Sequence, residues 1–181
     1  MTTQTGRFAT PQRLLHWLMA VCILAMLFIG VGMVSTVSAR SLTLVKIHEP
    51  LGIAILILVL IRIGFRLRYG APALPEDFPA PMKLAAHLSH YVFYGLMILM
   101  PLLGWAMLSA AAYPLVIFGV QLPQILPLND TLHSLLWDAH RYLAFLFFAL
   151  ILLHVAAALF HALVRRDGVF ETMGPDLQKG R

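Results

Sequence analysis

Four long apolar runs, at 14–34, 47–63, 84–108 and 135–164, take up most of this 181-residue chain. A helix needs about twenty predominantly apolar residues to cross the hydrocarbon core of a bilayer, and each run approaches or exceeds that length. With 60% hydrophobic residues, 12% charged and a mean hydropathy of +0.84, the chain holds more apolar surface than one soluble core can hide. The expected fold is all-α, an integral membrane four-helix bundle forming a single domain over 1–181, with spans at about 12–34, 44–66, 83–108 and 132–164. Four spans and short connections leave no room for a separate soluble catalytic domain, so any chemistry belongs inside the bundle or at its two faces.

Charge gives the orientation. The net charge of +5 would suggest a nucleic-acid partner in a soluble protein, but here the cations flank apolar runs, so the expected partner is the lipid bilayer and not nucleic acid. With both termini cytoplasmic, Arg7, Arg13, Arg62, Arg66, Arg68, Lys83, Arg165, Arg166, Lys179 and Arg181 lie inside, and only Arg40, Lys46 and Arg141 lie outside. Ten against three supports that orientation for a multi-pass membrane protein. Val37-Ser38-Ala39 has the form of a signal-peptidase site. The preceding run is longer than a typical signal core and carries a histidine in its first turn, so a retained helix is expected.

Prolines divide the remainder. Pro50 is expected in the first turn of the second span, where its missing N–H costs little. The stretch 70–81 is too rich in proline for helix or sheet and reads as a polar loop. Pro101 should kink the third span near its far end. Residues 109–128 are nearly as apolar as a span but contain Pro114, Pro123 and Pro127, which places them at the membrane interface or folded against the bundle.

The chemistry-bearing residues are the histidines. Intramembrane ionisable groups are costly, and His16, His48, His87, His90, His140, His154 and His161 all fall within or at the edges of spans. On the fourth span His133, His140, His154 and His161 are spaced by 7, 14 and 7 residues, with Phe147 filling the gap in the register. At roughly 100° per residue these positions form one stripe, and His140 and His154 are separated by about 21 Å along the axis. Imidazoles at two depths point to two haem groups, each iron gripped by histidines from facing helices. Cys22 is the lone cysteine, and no C-x-x-C-H exists for covalent attachment, so the expected cofactor is haem b, twice. At the outer level the available ligands are His48 and His140, His133 lying shallower. At the inner level five histidines compete, and His16, alone on the first span, pairs with His154, which shares the stripe of His140. Depth counting places His16 nearer the surface than His154.

Read together, Arg13-Leu-Leu-His-Trp17, Lys46-Ile-His-Glu-Pro-Leu-Gly52, Ala86-His-Leu-Ser-His90, Trp137-Asp-Ala-His140 and Leu153-His-Val-Ala-Ala-Ala-Leu-Phe-His161 resemble, in order and over nearly the whole chain, the bacterial cytochrome b561 family. The resemblance implies a four-span di-haem protein in which His16 and His154 ligate the inner iron and His48 and His140 the outer. It also implies an oxidoreductase that oxidises superoxide at the periplasmic face and passes the electrons to ubiquinone. The second connection, basic in that family, here carries Glu76 and Asp77.

In such a mechanism Arg40, Lys46 and Arg141 would attract a small anion at the outer face. His161 or His90 would hydrogen-bond a quinone carbonyl near the inner haem. Arg62 and Arg66, one turn apart, could pair with haem propionates. Trp17, Trp105 and Trp137, near span ends, suit belt anchors or haem packing. Two rival functions share these residues. One is a cytochrome b subunit relaying electrons from a dehydrogenase- or hydrogenase-type protein donor to quinone. The other is a haem-free proton or metal transporter using the histidines as a relay.

Overall fold

The computed structural model describes residues 6–35, 38–74 and 78–174, the side chain of Arg40 excepted. Among the described residues, four helices are long and apolar enough to cross a membrane: α1 (Thr10–Val34), α2 (Ala39–Tyr69), α3 (Ala80–Ala110) and α4 (Asp130–Leu159). α4 continues as a π-helical turn, Phe160–Arg165, and a short α5 (Val169–Met173) follows. Glu76 and Asp77 lie outside the described residues.

The helix ends follow local chemistry. Asn129 caps α4 by accepting from the Leu132 N–H at 2.9 Å. Pro11 occupies the first turn of α1. α2 carries Arg66 and Arg68 in its last turn, complementing the helix dipole, and stops at Gly70 with φ +72°.

Pro50 departs from expectation. α2 begins at Ala39, so Pro50 lies inside the helix and the Lys46 carbonyl has lost its helical partner. The apolar run begins only at residue 47, but a helix supplies its own backbone hydrogen bonds and propagates past the hydrocarbon edge. Pro101 likewise lies within α3.

α1 packs on α2, α3 packs on α4, and α2 against α3 joins the two hairpins. The shared core consists of Leu15, Met19, Val59, Leu96, Met97 and Phe147. Outward-facing residues such as Leu14, Val21, Phe28, Phe145 and Leu153 are exposed, as expected where lipid tails are the solvent.

Residues 109–128 fold back on the bundle. Strands β1 (Val116–Ile117) and β2 (Val120–Gln121) pair antiparallel around Phe118 (φ +49°) and Gly119 (φ +82°), the two positive φ values of a type I′ hairpin. The Trp105 indole donates to the Pro123 carbonyl at 3.0 Å. The Ile125 N–H donates to the buried Ser109 hydroxyl at 3.2 Å, and the Asn129 N–H to the Ala110 carbonyl at 2.9 Å. These bonds satisfy backbone groups that prolines would otherwise leave unpaired at membrane depth.

At the opposite end the termini meet. The Phe8 N–H donates to Thr172 at 3.1 Å, Arg7 to Glu171 and Gly174, Arg13 to Gly174 at 3.2 Å, and the Trp17 indole to Met173 at 3.0 Å. All the acceptors are carbonyls at the C-terminal end of α5, the negative end of its dipole. This clasp defines a terminal end of the bundle; the hairpin marks the far end.

Candidate functional site

Two histidine pairs face one another inside the bundle. At the far end His48 of α2 and His140 of α4 have ring centroids 6.2 Å apart. At the terminal end His16 of α1 and His154 of α4 are 6.4 Å apart. A metal held by two imidazole nitrogens at about 2 Å each, with each ring centre ~1 Å behind its nitrogen, separates the centroids by about 6 Å. Both spacings therefore suit an iron between each pair.

The surrounding backbone fits the same group. The backbones of α1 and α2 do not approach α4 as closely as that of α3 does, so the rings face each other across the wider gaps of the bundle. Nδ1 of His48 and of His140 is buried and makes no hydrogen bond; the backbone of Met100 approaches the His140 ring without closing one. Three histidines outside the pairs behave differently. Nδ1 of His87 lies 2.7 Å from the Lys83 carbonyl, that of His133 is 2.9 Å from the Met107 carbonyl, and that of His161 is 2.7 Å from the Asp167 carboxylate. Those three have ordinary partners, whereas leaving a polar atom buried and unpaired costs about 1–3 kcal/mol.

The meeting of His16 and His154 resolves the mismatch from depth counting. More residues follow His154 in α4 and its π-helical turn than precede His16 in α1, so the helix ends are not flush. Phe147 lies between the two levels, buried, and Phe93 of α3 touches both the Phe147 ring at 6.0 Å and the His154 ring at 5.1 Å.

Near the terminal pair, Arg62, Arg66, His90, Tyr94, Gln12, Phe8 and Met173 line a cavity of about 40 Å³. Arg62 lies over the Tyr94 ring and Arg66 over Phe8. His161 sits further along, stacked on Phe78. At the far end Lys46 is exposed and Arg141 leans on its neighbour Tyr142 at 5.3 Å; the side chain of Arg40 lies outside the described residues. Trp17 stands edge-on to His16 at 5.5 Å, Trp105 ties down the hairpin, and Trp137 packs on His133.

Gly30, Gly104, Phe78 and Asp167 do not stand out in the sequence. A Cβ at Gly30 would stand 3.9 Å from the His48 ring, and one at Gly104 would stand 3.5 Å from the His140 ring. Glycines opposite two intramembrane histidines are a weak signal, because glycine is common in transmembrane helices.

A membrane-spanning helical bundle with imidazoles paired at two depths is the framework of a membrane electron-transfer cytochrome. The family model for prokaryotic cytochrome b561 matches residues 7–176, and the chain belongs to that family, whose cofactor is haem b. It is 37% identical over 130 residues to the probable superoxide oxidase CybB of Yersinia pestis, covering 71% of this chain and 73% of that protein. It is 27% identical over 178 residues to cytochrome b561 homolog 1 of Escherichia coli K12, covering 94% and 98%. With homolog 2 of the same organism it shares 23% over 175 residues, covering 95% and 93%.

Gly104 supplies a graded test. Alanine there makes only van der Waals contact, so Gly104→Ala should keep the parent haem content and absorption bands. Gly104→Val adds two methyl groups beyond that contact and should push the His140 ring out of register. The expected result is a lower haem content than the parent's, read by pyridine haemochrome assay against protein concentration.

Proposed function

We propose that this cytochrome carries electrons across the inner membrane, from superoxide at its far, periplasmic end to ubiquinone at its terminal, cytoplasmic end. His48 and His140 hold one haem b, and His16 and His154 hold the second. The reading rests on the two imidazole pairs, 6.2 and 6.4 Å apart, at opposite ends of one bundle. The orientation rests on the eight cations that flank the terminal end among the described residues, Arg7, Arg13, Arg62, Arg66, Arg68, Lys83, Arg165 and Arg166. The choice of donor is supported by the relative named a probable superoxide oxidase.

Bound there, haem b would supply reversible one-electron chemistry. The chain's own groups do the rest. Lys46 and Arg141 give the far end a modest positive field that draws in a small anion. The apolar helix faces keep water from the interior, and Phe147 and Phe93 pack the space between the two levels. Arg62 and Arg66 present guanidinium groups suited to carboxylates at the terminal pair. Ubiquinone takes up a position near that pair, with His161 or His90 as the hydrogen-bonding group at a carbonyl.

The reaction balances as two superoxide anions, each losing one electron to become dioxygen, and one ubiquinone gaining two electrons and two protons. Purified protein, free of other subunits, should form ubiquinol under a superoxide flux and hold two haems per chain. A ratio near one, or a low-spin b-type spectrum that is missing altogether, would overturn the di-haem reading. Quinol formation that requires a co-purifying soluble subunit would replace superoxide with a protein donor.

A further inference from the structure

The π-helical turn at the end of α4 builds a side-chain cluster that the electron path leaves unused. The Arg166 N–H donates to the His161 carbonyl at 2.8 Å, five residues back, and Arg166 itself takes a left-handed conformation with φ +52°. This returns Asp167 to His161. Its Oδ2 lies 2.7 Å from His161 Nδ1 and 3.2 Å from Arg165 Nε, while Oδ1 accepts from the Val169 N–H at 3.3 Å. Phe78 stacks on the imidazole at 5.4 Å and an interplanar angle of 19°, with the Arg165 guanidinium over it at 4.7 Å. The His161 and Asp167 side chains are only 13% and 11% exposed.

An ionised carboxylate can only accept, so Asp167 fixes a proton on Nδ1 and leaves Nε2 as the ring's remaining position. π-Helical turns occur frequently at functional sites, and a histidine oriented by a buried carboxylate is the arrangement that acid–base catalysts use to accept and release a proton at the other nitrogen. The other histidines at this end are differently placed. His87 is bonded to the carbonyl of its own helix, and His90 shares its cavity with Arg62 and Arg66.

We propose that His161 is the proton donor to ubiquinone and that Asp167 is its positioning residue. The inference rests on the quinone reading above. As the quinone gains electrons, the Nε2–H bond breaks and an O–H bond forms at the carbonyl oxygen. Water at the terminal face then returns a proton to Nε2, and a second transfer completes the quinol. The electrons come from the donor, so the step needs no further reactant.

The test separates proton delivery from electron flow by comparing two acceptors. Ubiquinone needs protons, whereas ferricyanide takes one electron and none. Asp167→Asn and His161→Gln should slow ubiquinol formation roughly 10²-fold, and Asp167→Asn, which leaves the imidazole in place, should do so with the KM for quinone little changed. Both variants should keep the parent haem content, haem reduction by superoxide and reoxidation by ferricyanide. Asp167→Glu, which restores a carboxylate, should recover part of the rate. Two variants keep the test decisive if one fails to fold. Parent-like ubiquinol formation in both variants would overturn the proposal, and so would equal losses with ferricyanide, which would make the cluster structural. A parent protein that reduces ferricyanide but never ubiquinone would overturn the quinone reading beneath it.

Discussion

His154→Ala is expected, on the ligand assignment and reaction proposed above, to leave the protein with about one haem instead of two and to reduce ubiquinol formation to background. The His16 and His154 rings meet across a gap where the backbones of α1 and α4 stay apart, so no main-chain group stands ready to replace a lost imidazole. The remaining haem should still be reduced by superoxide, because the far pair is intact, and the block should appear between that reduction and the quinone. His48→Ala should give the complementary result. One haem is lost again, but the survivor lies at the terminal end and takes electrons from reduced quinol more readily than from superoxide. Haem-to-protein ratios, with stopped-flow reduction by each donor, check both variants. Adding imidazole to His154→Gly, where the cavity can admit it, should restore part of the second haem. If both variants keep two haems, the ligand assignment fails.

The second large effect is on stability. Phe147 is 6% exposed, whereas Phe145, two residues away, is 60% exposed. In a bilayer, apolar surface gains little by moving from lipid to protein, so Phe147 contributes through packing contacts and through the void its removal would leave. Phe147→Ala is expected to cost about 2–4 kcal/mol, seen as a lower temperature for haem release in detergent. Phe145→Ala should be close to neutral, since lipid tails fill the space it vacates. Equal effects from the two would show that the stripe on α4 does not face the bundle interior.

How much of this could be read from residue order depends on the range of the interactions involved. Helices α1, α3 and α4 begin and end within a few residues of their apolar runs, because the bilayer requires long apolar helices whatever their neighbours. Pro50 lies deeper in α2 than the apolar pattern implies, because helix propagation, a backbone property, carries α2 beyond the apolar boundary. The pairing of His48 with His140 could be narrowed down from depth alone, since few histidines lie at that level. The terminal end was harder, with five histidines in one leaflet and helix ends that are not flush.

The cluster around His161 could not be read at all. Asp167 stands six residues after His161, outside the three- and four-residue spacings at which helical side chains meet. Only the widened π-helical turn and the left-handed Arg166 fold it back onto the ring.

Spacing along one helix determined that the imidazoles of α4 share a face and lie at two depths, because helical rise and rotation are properties of the backbone itself. Run length and charge asymmetry determined the number of spans and pointed to an orientation. The tertiary structure alone decided which ring faces which across the bundle, where glycines give a ring clearance, and which carboxylate meets His161. Those relations depend on helix offset and on local departures from regular α geometry, and both are set by packing between segments far apart in the chain.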